Sequence, residues 1–390
     1  MKNDWRCKRN LKNVILFDLL NAQPMGESKF HGGGEYIKSI FKCLVESMDS
    51  KTKLIVFYDF GRYLDEWILS YISVYKITAI DIKRIQELES VFRQYNVNIF
   101  YTGMPYGYSK KILPDNVYKI GTFHGLRAIE CPTDSFEYKY SKSIKEFMKS
   151  RIKGLIGRRL YVNFLKNKGY GLDCFDEIIT VSYHSYYSLK KNFHLKNKIG
   201  VFYSPQKKCC LCENVIDENY ILIISANRWI KNAYRGLMAI DDLYTHGLLK
   251  NIRTIVVGEI SNRIKKEIKN DECFTLKSYV SSSELEMLYA GCKVFLYPTL
   301  NEGFGYPPLE AMKYGKTCVV SAVCSLPEIC GDAVYYINPY DMGEISTRIL
   351  EACENPIDEN IVYKQVKKIE KKENDDLKLL VEKILACRNI

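Results

Sequence analysis

The sequence predicts an α/β protein made of two doubly wound domains that face a central cleft. Three observations predict it. Short apolar runs alternate with helical patterns along the whole chain, the mark of parallel sheets covered by helices. The length of 390 residues suits two domains of ordinary size, and a hydrophobic content of 47% suffices for two cores. A polar, proline-containing break, Tyr203-Ser204-Pro205-Gln206-Lys207-Lys208, follows a strand pattern near the middle. The expected division is residues 1–205, residues 206–365, and a terminal segment 366–390.

In the first half, strand patterns fall at 14–18, 54–58, 97–102, 118–123, 177–181 and 199–202, with helical patterns at 35–47 and 182–192 among the segments between them. The second half repeats the scheme. Its strands are expected at 220–225, 254–258, 294–298, 318–321 and 334–337, and its helices near 233–245, 283–290 and 307–314. Ser282 and Ser283, with Glu284 and Glu286 after them, offer capping groups for the second of these helices. Pro307 suits the first turn of the third, because its missing N–H would be unpaired there anyway, and Gly315 ends it. The tail, 361–390, is helical in pattern and heavily charged. In sheets of this kind ligands bind beyond the carboxyl ends of the strands.

No stretch reaches the ~20 uncharged apolar residues that a membrane-spanning helix requires. The first apolar run, Val14-Ile15-Leu16-Phe17, stops at Asp18 and is too short for a signal-peptide core, so a cytoplasmic protein is expected. The 14 cysteines are scattered, as buried free thiols would be. Cys209, Cys210 and Cys212 cluster without the paired spacing of a zinc site, so no metal is assigned. Net charge is +11, concentrated at 139–168, where ten Lys and Arg face the single acid Glu146 and apolar residues recur every three or four positions. That is a basic amphipathic helix. It either docks on an anionic membrane surface or packs on its own domain with its lysines solvated. No nucleic-acid motif accompanies the charge, so no nucleic-acid partner is expected.

The segment richest in chemistry is Asn301-Glu302-Gly303-Phe304-Gly305-Tyr306-Pro307-Pro308-Leu309-Glu310-Ala311-Met312. Two carboxylates stand eight residues apart across a Gly-rich turn that enters a helix. A helix start offers free N–H groups and carboxylates accept hydroxyls, so the pattern suits a phosphate joined to a sugar. Upstream, Arg228 and Lys231 follow the strand pattern 220–225 in Ala226-Asn227-Arg228-Trp229-Ile230-Lys231-Asn232, two cations that can clamp a diphosphate. Gly32-Gly33-Gly34 opens a helix, and His124 lies at a strand end in Phe123-His124-Gly125-Leu126-Arg127.

These motifs closely resemble the signature of retaining glycosyltransferases of family four, which have the GT-B fold of two Rossmann-like domains. The likeness is strong over 219–345 and extends through Ser325-Leu326-Pro327-Glu328 and Gly331-Asp332-Ala333. It implies donor binding by Gly33, Gly34, Arg228, Lys231, Glu302, Gly303, Phe304, Gly305 and Glu310. Arg228 and Lys231 would hold the diphosphate, Glu310 the ribose hydroxyls, and Glu302 the hydroxyls of the sugar. His124 would face the reactive carbon. The family usually has Asp where this chain has Gly125, which makes Arg127 the candidate on the acceptor side. Glu328 is expected to organise a loop, and the remaining histidines, His31 and His184 included, to be structural. The resemblance also implies retention without a metal or other cofactor, a UDP- or GDP-sugar donor, a saccharide or lipid-linked acceptor, work at the inner face of a membrane, and a last helix that crosses back to the first domain. The alternatives are a sugar-nucleotide-binding protein without catalysis and a nucleotide-sugar epimerase. A dinucleotide-dependent oxidoreductase is disfavoured, because G-x-G-x-x-G is missing after the first strand.

Overall fold

A computed structural model describes residues 13–24, 31–156, 162–163, 171–205 and 218–386. Two wholly parallel sheets organise them. The first has strands β1 (Asn13–Asp18), β2 (Thr52–Tyr58), β3 (Thr78–Asp81), β4 (Ile99–Thr102), β5 (Tyr118–Phe123), β6 (Glu177–Thr180) and β7 (Lys198–Val201), in the spatial order β3-β2-β1-β4-β5-β6-β7. The second has β8 (Tyr220–Ile223), β9 (Arg253–Val257), β10 (Phe274–Lys277), β11 (Val294–Tyr297), β12 (Thr317–Ser321) and β13 (Tyr335–Ile337), in the order β10-β9-β8-β11-β12-β13. In each sheet the order reverses beside the first strand, and the crevice at such a switch point receives ligands.

The central strands are buried on both faces, which is why they read as continuous apolar runs. In β1, Ile15, Leu16 and Phe17 are fully buried, with Leu16 paired to Ile55 and Ile15 to Ile99. The two strands that the pattern missed, β3 and β10, both lie at sheet edges and carry exposed residues. An edge strand buries little, so its hydrophobic signal is weak.

The longer helices are α1 (Gly32–Ser47), α2 (Glu66–Val74), α3 (Leu88–Tyr95), α4 (Ile144–Ile156), α5 (Tyr183–Asn192), α6 (Ala233–Thr245), α7 (Ser282–Gly291), α8 (Tyr306–Lys313), α9 (Met342–Glu354) and α10 (Glu359–Ala386). Ser281, one residue before the expected pair, caps α7 by accepting from the N–H of Glu284. Helix α8 ends at Gly315, whose φ of 72° only glycine adopts without strain. Helix α10 packs on α1 and hydrogen-bonds to the first domain. Leu385 O accepts from Asn13 at 2.7 Å, Asp376 accepts the N–H of Tyr203 at 2.7 Å, and Lys383 pairs with Glu177 at 2.8 Å.

The domains also meet directly. Arg235 of α6 forms a buried ion pair with Asp134 at 3.0 Å, and the N–H of Tyr234 donates to Tyr140 Oη at 2.7 Å. Lys142 reaches Glu259 at 2.7 Å, and Lys139 pairs with Glu267. The basic stretch therefore leans on the second domain. Within α4, Phe147 packs on Tyr138 and beneath the Arg263 guanidinium, whereas Ile144, Met148 and Ile152 are 79%, 51% and 48% exposed. The remainder of that stretch (157–161 and 164–168), the expected domain boundary after 205, the cysteine cluster at 209–212, and residues 25–30 lie outside the described residues.

Candidate functional site

The strand ends of both sheets converge at the interdomain cleft. From the second domain, a short turn after β8 carries Arg228 and Lys231, and the loop after β11 carries Glu302. Lys231 is 6% exposed and Glu302 8%, and they form a direct ion pair. Tyr297, the last residue of β11, closes a triangle: its hydroxyl accepts from Lys231 Nζ at 2.5 Å and donates to Glu302 at 2.5 Å. Burial, then the charges of Arg228 and Arg127, pushes Lys231 well below the usual lysine value. Arg228 is lowered by burial and by Arg127, while burial raises the Tyr297 phenol, which stays protonated.

Arg127 comes from the first domain, immediately after β5. Its Nε is buried with no hydrogen-bond partner among the described residues. Three cations, Arg127, Arg228 and Lys231, thus stand close together, an arrangement that repels itself unless anions join it. Beside them lies a cavity of about 310 Å³ walled by Tyr106, Gly125, Arg127, Pro132, Lys153 and Trp229.

The Gly-rich turn fits against the first domain. A methyl group on Gly303 would overlap the backbone oxygen of His124, and Ser182 Oγ donates to Gly303 O at 2.8 Å. Only glycine permits this approach. Gly305, at φ 119°, sits against Leu326 and starts α8. Phe304 is buried in the core beside Tyr203, 5.6 Å between ring centres, so its ring supports the turn from behind. Glu310, half-buried about one turn into α8, accepts from the Tyr289 hydroxyl at 2.9 Å.

His124 packs edge-on against Tyr36 at 4.8 Å, and its Nε2 lies 2.9 Å from Gly103 O, so that nitrogen carries the hydrogen. Burial lowers its pKa to about 4. The ring is neutral at pH 7 and offers no charge to a substrate.

One expectation needs correction. Helix α1 begins at Gly32, and His31 caps it by accepting the N–H of Gly34 at 3.0 Å. That N–H is committed to the cap and does not await a phosphate, although Gly33 and Gly34 remain tightly packed against Met104 and His31. Glu328, expected to organise a loop, caps α5 across the domain boundary, accepting from the N–H of Tyr183 at 2.9 Å and of His184 at 3.2 Å.

Sequence reading missed Tyr297 and Asp18. Asp18 is wholly buried at the end of β1, holds Thr102 at 2.6 Å and Tyr108 at 2.8 Å, and is raised by burial. It ties three strand-end segments that frame the cleft. An acid ending a hydrophobic strand was the available signal, and its partners lie too far along the chain to be read.

Two parallel sheets whose carboxyl ends share one cleft define the GT-B class. The structure resembles sucrose-phosphate synthase from Thermosynechococcus elongatus, with a TM-score of 0.68 at 14% identity over 95% of this chain and 98% of that one. Anabaena HepE, solved with UDP and glucose, gives a TM-score of 0.58 at 12% identity over 96% and 97%. Residues 213–373 match the family model for Glycosyl transferases group 1. A stretch of 77 residues is 46% identical to O-antigen chain mannosyltransferase B of Escherichia coli, covering 20% of each chain. Another of 168 residues is 28% identical to O-antigen chain mannosyltransferase RfbU of Salmonella typhimurium, covering 42% of this chain and 47% of that one. The matches thus span less than half the length of these relatives.

Proposed function

We propose that this chain is a retaining glycosyltransferase that moves a mannosyl or related hexosyl group from a nucleoside diphosphate to a saccharide hydroxyl in surface-polysaccharide synthesis. One observation carries the reading: Arg127 and Arg228 stand close enough to the buried Lys231–Glu302 pair to depress Lys231, so three cations from both domains converge at the cleft. A sugar-linked diphosphate brings two negative charges, opposite in sign to these cations. As the glycosidic bond breaks, charge grows on the leaving phosphate, and fixed cations in a dry site stabilise that change more than they stabilise the ground state.

Glu310 takes the ribose hydroxyls and Glu302, once the diphosphate engages Lys231, takes hydroxyls of the sugar. Neutral His124 borders the reactive carbon as a polar wall. The acceptor enters by the cavity between Tyr106 and Trp229. In the retaining route the departing phosphate oxygen accepts the proton of the incoming hydroxyl, and the cations take the place that a divalent metal fills elsewhere. The names of the relatives favour mannose. UDP and GDP are the nucleotides to test first, since HepE was solved with UDP.

Exposed Ile144, Met148 and Ile152, flanked by Lys145, Lys149 and Arg151 on α4, support docking of the first domain on an anionic membrane at the cytoplasmic face. No helix among the described residues is long and apolar enough to cross a membrane.

A melting-point screen against UDP, GDP, dTDP, CDP and ADP tests the donor site. The right nucleotide at a hundred times its Kd stabilises by about 2.7 kcal/mol. Transfer assays with the matching mannose and glucose nucleotides then separate an enzyme from a binding protein or an epimerase. If no nucleotide raises the midpoint, the reading fails.

A further inference from the structure

A second cluster lies on the far side of the Arg127–Glu130 turn. Glu130 and His184 belong to the first domain and Cys324 to the second. They line a cavity of about 800 Å³ together with Asn301, Tyr187 and Lys191. We propose that Glu130, His184 and Cys324 bind a thiophilic divalent cation of the zinc class, and that the ion staples the two domains together. This site is independent of the transfer reaction proposed above.

The donor set is the first argument. One carboxylate, one imidazole and one thiol are a mixture that zinc takes readily and magnesium or calcium does not. Their ligand atoms lie within 4.8 Å of one another. Bonds of about 2.0–2.3 Å to a tetrahedral ion set donors about 3.3–3.8 Å apart, so small side-chain shifts suffice. With the thiol and the carboxyl deprotonated and the imidazole neutral, the ligands balance a doubly charged ion.

The supporting contacts are the second argument. Asn301 donates to Glu130 Oε2 at 2.8 Å and to Cys324 Sγ at 3.1 Å, fixing both ligands from outside as metal sites require. His184 Nε2 lies 2.9 Å from Glu130 Oε1, the contact that an entering ion would replace. Glu328 caps the backbone N–H groups of Tyr183 and His184, which anchors the start of α5. Cys324 holds a φ of 55°, an uncommon backbone for a residue that is not glycine, and it aims at this cluster. The cavity supplies an entry path and room for a water as the fourth ligand. The pattern was invisible in the sequence, because positions 130, 184 and 324 have no short spacing.

The test uses the full untagged chain. Zinc is titrated against a competing chelator, and cobalt(II) is added separately while the thiolate-to-cobalt absorption band is recorded. One ion per chain and a clear band are expected. Cys324→Ser should remove the band and weaken zinc at least tenfold, and Glu130→Gln should weaken it comparably. The triple variant Cys209→Ser, Cys210→Ser, Cys212→Ser should bind like the parent. Failure to take up one equivalent of zinc overturns the proposal. So does a band that persists in Cys324→Ser, or binding lost only in the triple variant. Should Cys324→Ser not fold, Glu130→Gln decides, and undiminished zinc affinity there also overturns the site.

Discussion

Replacing Lys231 tests the heart of the donor site, because the structure changes what the substitution should do. A lysine on an exposed loop could be removed with little effect on folding. Here it is 6% exposed and pairs with Glu302, 8% exposed. Breaking a buried pair by removing one partner costs ~3–5 kcal/mol, because the other charge stays buried. Arg228 and Arg127 stand nearby and take over part of the task for Glu302, so Lys231→Met belongs at the low end, about 3 kcal/mol. That corresponds to a fall of ~6–12 °C in the melting point of the second domain. Glu302→Gln should cost more, since Lys231 is left beside Arg228 and Arg127 without its paired anion; Lys231, already pressed down, can shed its proton and cap the loss. Two further consequences follow. The double variant should be no worse than the poorer single one, giving a coupling of at least ~3 kcal/mol. Nucleotide should rescue Glu302→Gln more than the parent, because its diphosphate restores the missing negative charge. Transfer by Lys231→Met should drop ~10²–10³-fold, the usual loss for one group that stabilises a developing anion. The assays are thermal melts with and without nucleotide and turnover at saturating donor. Single effects that add within ~0.5 kcal/mol would refute the coupled pair.

Glu310→Ala should leave the fold intact and weaken nucleotide about tenfold to a hundredfold, since one or two charge-assisted hydrogen bonds are lost; isothermal titration measures it. Gly303→Ala should abolish turnover by forcing the Gly-rich turn away from the His124 carbonyl, whereas the melting point of the second domain changes little; a turnover within twofold of the parent would count against that contact. His124 has a folded pKa near 4 against 6.5 unfolded, so the unfolded chain binds the extra proton between them. Its contribution is fully present above pH 6.5 and is lost as pH falls towards 4, and His124→Phe should flatten that part of the difference profile in denaturant melts. Transfer should survive EDTA without added Mg²⁺ or Mn²⁺; complete loss restored by either ion would refute a diphosphate held by side-chain cations alone.

Much of the fold and the site was legible in the sequence. Buried parallel strands such as β1 and β11 declare themselves as unbroken apolar runs, and Pro307 and Gly315 bracket α8 by backbone chemistry. Glu302, Glu310, Arg228 and Lys231 stand out because the loops that hold them are short and local. What stayed hidden depended on partners far apart in the chain. The edge strands β3 and β10 bury too little to be periodic. Arg127 joins the clamp only because β5 of one domain ends opposite β8 and β11 of the other. His31 and Glu328 found their cap partners only once the chain was folded. The chain by itself thus determined which residue types stand at each strand end, since that follows from local pattern and steric rules. Tertiary structure alone decided which charges are buried together, and therefore which are costly to leave uncompensated, because burial and Coulomb energy depend on distances that no linear spacing contains.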